Sequence, residues 1–165
     1  MPLFFPPNNR LTFSSGTAVT RNSANAAGDA TAQTMATITI PPNAMGANGC
    51  VNLFTYWTYT NSANAKTIRA RWGGTGGTLI LSAAPTTTTS INMTKLVHNV
   101  NATNAQAFMT NSVASLGSAS AGTPGTSAVD TTAAFTIILE CLWAGATAAE
   151  SITLASYLVD LTYAA

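Results

Sequence analysis

The side chains that could act as acids, bases or nucleophiles are few and widely spaced in this sequence. His98 is its one histidine, and a Ser–His–acid site would need His98 to meet a distant acid through the fold. No G-x-S-x-G spacing marks a nucleophilic serine. We interpret His98 as an ordinary strand residue and predict no catalytic site. Spacing alone leaves open a pair of glycosidase carboxylates, drawn from Asp29, Asp130, Glu140, Glu150 and Asp160.

Metal and phosphate sites also lack a sequence signature. A metal centre needs several clustered His, Cys or carboxylate ligands, although converging loops leave a calcium site open. Cys50 and Cys141 lie in separate strand-like runs. They favour buried thiols, with a disulfide left open. The glycine run at 73–77 lacks the Lys and following Ser/Thr of a phosphate loop, so we interpret it as a flexible strand connection. The sequence predicts no metal and no cofactor.

Basic residues concentrate in one stretch, 58–77, which raises the question of a nucleic-acid site. Arg69 and Arg71 are two residues apart, so a strand would place both on one face. Ile68 and Trp72 would then point to the opposite face, toward the core. The whole chain has a formal net charge of only +1. Nucleic-acid binders usually carry a clear basic excess. We therefore expect no nucleic-acid partner, and expect these arginines to be exposed or to pair with an acid of another chain.

The first residues, "MPLFFPPNNR", combine apolar side chains with prolines. Such a segment cannot form a core alone, so it either packs back on the domain or docks on a neighbour. We predict an extended arm at 1–9 that docks on a neighbour, because it offers apolar anchors on a preformed extended backbone. The candidate residues for contact with a partner or another subunit are Phe4, Phe5, Arg10, Arg69 and Arg71.

Composition indicates a protein that associates. Only 7% of the 165 residues are charged, against roughly 25% in ordinary soluble domains. Surface polarity must come from Thr, Ser and Asn, and such a neutral surface tends to associate. We expect a closed homo-oligomer, a homotrimer. The start of the sequence has no positively charged n-region, and no apolar run approaches the roughly 20 residues of a membrane helix. We therefore expect no signal peptide and no membrane partner.

Beta-branched and aromatic runs alternate with Gly, Pro, Asn and Ser clusters, which is typical of strands and turns. A helix at 101–113 has only weak support, and 115–126 is a low-complexity loop. The sequence predicts a single all-β domain over 10–165, a jelly-roll-like β-sandwich with about eight to nine antiparallel strands. The candidate strands are 11–20, 34–40, 51–59, 66–72, 78–82, 90–100, 105–113, 133–143 and 152–163.

Three phrases carry a resemblance to a known group of proteins: "FTYWTYTNSANAKTIRARWGGT" at 54–75, "NVNATNAQAFMTNS" at 99–112, and the run from "VDTTAAFT" to "LVDLTY" at 129–163. Together they resemble small jelly-roll virion proteins of tailed bacteriophages. The first phrase looks like their central hairpin and the last like their closing hairpin. The phrases cover about half the chain and contain no catalytic signature.

The resemblance implies a non-enzymatic virion protein, made in the bacterial host cytoplasm. We expect a capsid decoration or cement protein that binds the outer shell and stabilises it. Its partners would be copies of itself and the major capsid protein or another virion protein. The alternative is a tail-tip or fibre component that binds a receptor or carbohydrate. Stacking rings for that role would come from Tyr56, Trp57, Tyr59 and Trp72, whose other interpretation is core and interface packing.

Overall fold

The structure is a computed structural model that describes residues 10–23, 31–110, 124–144 and 150–165. Alternating apolar and polar residues, bounded by turn residues, form eleven strands in these ranges. They are β1 (Arg10–Ser15), β2 (Val19–Asn22), β3 (Gln33–Ile40), β4 (Cys50–Tyr59), β5 (Ala65–Trp72), β6 (Thr78–Ala83), β7 (Ser90–Asn99), β8 (Gln106–Phe108), β9 (Gly125–Ser127), β10 (Phe135–Ala144) and β11 (Ser151–Thr162).

The strands form two antiparallel sheets that face each other. The large sheet has the order β1-β11-β4-β7-β8-β9, with β2 also paired to β11, and the small sheet has the order β3-β10-β5-β6. With β1 and β2 counted as one broken strand, and with β8 and β9 as an extension, eight principal strands remain. When these eight strands are numbered along the chain, the order in the large sheet is first-eighth-third-sixth. The order in the small sheet is second-seventh-fourth-fifth. This is the strand order of a jelly roll, so the predicted fold class is confirmed.

Two of the connections differ from the sequence-based prediction. The resemblance implies a hairpin across the Asn/Ala turn at 60–64, but β4 lies in the large sheet and β5 in the small one. The expected closing hairpin is wrong for the same reason, because β10 and β11 lie in different sheets. Five residues span at most roughly 16 Å, which is enough to cross the roughly 10 Å between packed sheets. A short polar turn can therefore form either a hairpin within one sheet or a crossing between the two sheets.

The core lies between the two sheets. The inward residues of β4 and β5 include Leu53, Trp57, Ile68 and Trp72, and each is at most 1% exposed. The ring centroids of Trp72 and Phe135 are 4.6 Å apart with the rings tilted, so aromatic packing joins β5 to β10. The predicted inward direction of Ile68 and Trp72 is confirmed.

The glycine run at 73–77 connects β5 to β6 within the small sheet, as predicted for a strand connection. Gly73 and Gly74 have φ of 89° and 97°, a region that favours glycine. Their amides both donate to the carbonyl of Thr136, at 2.9 and 3.1 Å. The run is therefore fixed to the neighbouring strand β10, and it is less flexible than we expected.

The remaining elements agree only in part with those predicted from the sequence. The candidate strand 11–20 is broken into β1 and β2, and β9 overlaps the end of the predicted loop at 115–126. The weakly supported helix at 101–113 is absent over its described part, 101–110, which includes β8. The predicted arm at 1–9 lies outside the described residues. No helix in the described ranges has the length and hydropathy of a membrane span.

Candidate association surfaces

The outer face of the small sheet carries a charged cluster. Arg69 and Arg71 project from β5 on this face, opposite the core side chains. Both reach Glu140 on the adjacent strand β10. Arg71 Nε donates to Glu140 Oε1 at 2.8 Å, and Arg69 Nη1 lies 3.6 Å from the same oxygen. Arg71 Nη1 also donates to the carbonyl of Gly77 at 3.1 Å.

This pairing corrects the expectation that an acid of another chain would neutralise the arginines. The register places Glu140 directly opposite Arg69 across β5 and β10. The side chain of Glu140 is only 4% exposed, whereas those of Arg69 and Arg71 are 26% and 22% exposed. A carboxylate this buried needs a cationic partner, and the two guanidinium groups provide it. The cluster of these three residues has a net charge of +1.

Apolar side chains of β10 lie beside the arginines on this face. Ile138 and Leu142 project from β10 to the same outer face, yet they are 3% and 9% exposed. Each lies opposite a β5 residue of this face, Ile138 opposite Arg71 and Leu142 opposite Thr67. Long arginine side chains bury their methylene groups on such neighbours while the guanidinium stays near solvent. Arg69 and Arg71 therefore have a structural role in this chain, and a role in subunit contact is an additional proposal.

Arg10 forms an ion pair at the edge of the large sheet. Its Nε donates to Asp160 Oδ1 at 3.0 Å, and its Nη2 donates to Asp160 Oδ2, so the contact is bidentate. The Arg10 side chain is 59% exposed and that of Asp160 is 16% exposed. The pair fixes the start of β1 to β11, and an exposed pair of this kind contributes little to stability.

The outer face of the large sheet carries exposed apolar side chains instead of charges. Phe54 on β4 lies directly opposite Leu158 on β11, and both are 37% exposed. Tyr56 is the next residue of β4 on this face, and it is 41% exposed. Leu96 on β7, 43% exposed, lies opposite Asn52 and so diagonal to Phe54. We call Phe54, Tyr56, Leu96 and Leu158 the apolar strip.

The surroundings of the apolar strip are neutral. Phe54 is flanked across β7 by Thr94, and Leu158 across β1 by Ser14. Tyr56 lies between Asn92 of β7 and Ser156 of β11. The nearest charges on this face belong to the Arg10–Asp160 pair, which compensate each other. An exposed apolar strip in a neutral sheet is typical of a surface that another protein covers.

Three of the four rings considered for ligand stacking are core residues. Trp57, Tyr59 and Trp72 are 1%, 6% and 0% exposed. The Tyr59 hydroxyl lies 2.6 Å from Oγ1 of the exposed residue Thr88, where the core meets the surface. Of the four, Tyr56 alone reaches the surface. The interpretation of these rings as packing residues is therefore correct for Trp57, Tyr59 and Trp72.

The titratable residues do not assemble into a reaction centre over the described ranges. His98 is an exposed residue of β7, opposite Cys50 and Ala107, as expected for a strand histidine. Among the described residues, no group of three or more His, Cys, Asp or Glu side chains could hold a metal ion. Cys50 and Cys141 are not joined to each other.

Two acids have lowered pKa values for local structural reasons. The side chain and amide of Thr132 both donate to Asp130 Oδ1, at 2.6 and 2.9 Å, and these bonds lower the pKa of Asp130. Burial raises the pKa of Glu150, but hydrogen bonds from Ser62 and Asn64 and the charge of Lys66 outweigh it, so the pKa is lowered. Both carboxyl groups are therefore held ionised.

Lys66 and Glu150 form a buried pair at one end of the sandwich. Lys66 is fully buried, and its Nζ donates to Ser62 Oγ and to the carbonyl of Asn64, both at 2.9 Å. Asn64 Nδ2 donates to Glu150 Oε1 at 2.8 Å, and Lys66 Nζ lies 4.0 Å from Glu150 Oε2. The pair connects the 60–64 crossing to the start of β11, and it is structural.

A second buried polar network is centred on the glutamine of the 99–112 phrase. Gln106 Nε2 donates to Asn99 Oδ1 at 2.8 Å and to the carbonyl of Val129 at 3.0 Å. The amide of Val129 donates back to Gln106 Oε1 at 2.9 Å. Asn99 Nδ2 donates to Thr131 Oγ1 at 3.0 Å. The network fixes 129–131, which lead into β10, against β7 and β8.

The sequence-predicted contact residues that the structure describes are not all brought together. Arg10 lies on the large sheet, Arg69 and Arg71 lie on the small sheet, and Phe4 and Phe5 lie outside the described residues. Sequence reasoning missed the apolar strip. The signal for it is in β4, "CVNLFTYWTY", where Phe54 and Tyr56 occupy the parity opposite to that of the buried Leu53 and Trp57.

The arrangement defines a jelly-roll sandwich with two unlike outer faces. No protein-family model matches the sequence, and no curated protein matches it. Among solved structures, the chain is similar to one titled "Structure of infectious bursal disease virus Gx strain". The identity is 12% and the TM-score 0.46, over 93% of this chain and 32% of that one.

Two further solved structures have related arrangements. One, described as Bacillus endospore appendages that form a family of disulfide-linked pili, has 13% identity and a TM-score of 0.44 over 99% of this chain and 97% of that chain. The other is the CBM2 module of the evolved Dit of Lactobacillus casei BL23 phage J-1. It has 10% identity and a TM-score of 0.40 over 78% and 70% of the two chains. Similarities this distant assign no function.

Proposed function

We propose that this chain is a non-enzymatic structural protein of a bacteriophage particle, a capsid decoration or cement protein that acts as a homotrimer. The observation that carries the proposal is the apolar strip, Phe54, Tyr56, Leu96 and Leu158, on an otherwise neutral sheet face. In a chain with so few charges, this face is suited to burial against another protein. The phage assignment comes from the sequence resemblance of the 54–75, 99–112 and 129–163 segments.

Three of the four described acids support a structural role over a catalytic one. Glu140 pairs with the arginines of β5, Asp160 pairs with Arg10, and Glu150 is bound by Asn64 beside Lys66. Each of these carboxylates already stabilises a contact between strands or connections. In the strand register, Glu140 and Asp160 lie opposite neither a second carboxylate nor His98. The pattern fits a rigid part of an assembly.

A tail-tip or fibre component that binds a carbohydrate is the second candidate. Tyr56 favours it, because an exposed ring beside the amide of Asn92 is suited to stacking on a sugar and donating to its hydroxyl groups. Burial of Trp57, Tyr59 and Trp72 removes the other rings that such a site would need. We therefore place this function second.

Quantitative mass spectrometry of purified particles of the phage that encodes this chain tests the proposal. A cement protein occurs in hundreds of copies per particle, whereas a tail-tip component occurs in a handful. We expect a copy number close to that of a capsid shell component. A handful of copies would support the second candidate, and absence from intact particles would contradict both.

A further inference from the structure

We propose that the apolar strip of one copy binds the N-terminal arm of a second copy, with Phe4 and Phe5 as the anchors. The inference rests on the proposed function in one respect, because it assumes that the chain associates with itself. It goes further by naming both halves of the contact, an acceptor on the large sheet and a donor segment at 1–9.

The acceptor is an apolar surface whose extent suits two phenyl rings. Phe54 and Leu158 are adjacent across β4 and β11, and Tyr56 and Leu96 lie one step away along β4 and diagonally on β7. Directly opposite residues have Cβ atoms about 4.5–5.5 Å apart and diagonal neighbours about 7–8 Å. The strip therefore has room for two phenyl rings, bordered by small polar side chains such as Thr94 and Ser14.

The donor segment supplies apolar side chains that can cover the strip. Leu3, Phe4 and Phe5 are consecutive apolar residues between Pro2 and Pro6. Proline has no backbone amide proton and fixes φ, so the segment is unsuited to adding a regular strand to a sheet edge. It is suited to lying on a sheet face in an extended conformation and inserting its rings. The strip has no charged residue and the segment 2–9 has none, so neither half of the contact contributes a charged side chain.

The direction of β1 favours a second copy over the same chain. Ser14 lies beside Leu158, and Arg10 lies beside Thr162 near the end of β11. Followed backward from Ser14 to Arg10, the chain moves away from the strip toward the end of the large sheet. Five residues in an extended form span roughly 17 Å, so the segment between Phe5 and Arg10 is long enough to reach a neighbouring copy. A chain that bound its own strip would have to reverse direction.

Site-specific photocrosslinking tests this contact. The full chain carries benzoylphenylalanine at position 4 and is mixed with 15N-labelled unsubstituted chain, allowed to exchange, and irradiated. Mass spectrometry then identifies the linked peptides. We expect links between light and heavy chains that map to residues 52–58 of β4 or 156–158 of β11. Links within one chain only, links mapping elsewhere, or no link to the strip would each overturn the proposal.

Substitutions supply a second and independent readout. Phe54→Ser and Leu158→Ser should each raise the dissociation constant of self-association about tenfold or more, as should Phe4→Ser and removal of residues 1–7. Thr94 lies opposite Phe54 across β4 and β7. Thr94→Ser is the matched control and should leave the dissociation constant unchanged. Circular dichroism and thermal unfolding confirm that each variant is folded.

The combination of Phe4→Ser with Phe54→Ser should cost little more than either change alone, because both remove one contact. Additive effects would overturn the contact. This test and the test of the proposed function can fail separately. If the protein is abundant in particles but the crosslinks are absent, only the arm contact is refuted. If the protein is absent from particles, the proposed function is refuted, and the crosslinking result still decides the arm contact.

Discussion

Arg71 Nε lies 2.8 Å from Glu140 Oε1, across two neighbouring strands whose residues are 69 positions apart in the chain. The contact neutralises a carboxylate in a sheet face that has few other charges. It also changes what the two arginines of β5 are expected to do, because their removal should affect the fold before it affects any partner.

Arg71→Ala should destabilise the isolated chain. The substitution removes the closest cation from a carboxylate that is only 4% exposed, and hydrogen bonds to charged groups contribute about 1.5–3 kcal/mol. Arg10→Ala is the matched control, since it breaks an exposed pair worth less than about 1 kcal/mol. Urea unfolding at neutral pH should show a clearly lower midpoint for Arg71→Ala alone. Equal midpoints for the two variants would mean that the Glu140 pairing contributes nothing.

Stability should fall at acid pH partly through Glu150. Its pKa is held below the ordinary value of 4.5, so the unfolded chain binds the proton more tightly than the folded chain does. The stabilisation is complete above about pH 4.5 and is lost as the pH falls through the folded pKa. Urea unfolding between about pH 7 and about pH 3 should show a shallower decline for Glu150→Gln than for the unsubstituted chain. Parallel curves would contradict the assignment.

Gln106→Leu should be destabilising even though it adds apolar surface. Asn99 Oδ1, the amide of Val129 and its carbonyl would each lose the partner that Gln106 provides. A buried polar group left without a partner costs about 1–3 kcal/mol. Thermal unfolding should show a marked decrease in Tm, whereas Asn92→Ala on the exposed face should change it little. A neutral effect of Gln106→Leu would show that the network is not needed.

Trp72→Ala should cost about 3–5 kcal/mol, as for other large-to-small changes in a core. Trp72→Phe should cost much less, because the buried Nε1 of Trp72 has no hydrogen-bond partner among the described residues. Urea unfolding of the two variants gives the comparison. If Trp72→Phe were as damaging as Trp72→Ala, the contribution of Trp72 would depend on the indole atoms that phenylalanine lacks.

The residue pattern was sufficient for the fold class and for the direction of side chains along a strand. Alternation in β5 alone predicts that Trp72 points inward and Arg71 outward. It could not supply the partner of Arg71, because pairing between β5 and β10 depends on how distant segments align. The same limit applies to the connections. The turn at 60–64 has the composition of a hairpin, and only the tertiary arrangement shows that it crosses between sheets.

The apolar strip shows a different limit. The alternation in β4 indicates that Phe54 and Tyr56 share the face opposite Leu53 and Trp57, but it does not indicate whether another segment covers that face. Phe54 is exposed because nothing in the described chain covers the outer face of the large sheet, whereas the outward residues Ile138 and Leu142 of β10 are buried. Exposure thus depends on neighbouring strands, which is information that a single strand does not carry.

Packing against copies of itself is the property on which the proposed role of this chain most depends. Multi-angle light scattering of the purified protein across a dilution series measures it directly. We predict a stable species with three times the chain mass of 16.9 kDa, which dissociates only at high dilution and which is weakened by Phe54→Ser but not by Thr94→Ser. A species of 16.9 kDa at every concentration up to the micromolar range, with no partner present, would contradict it.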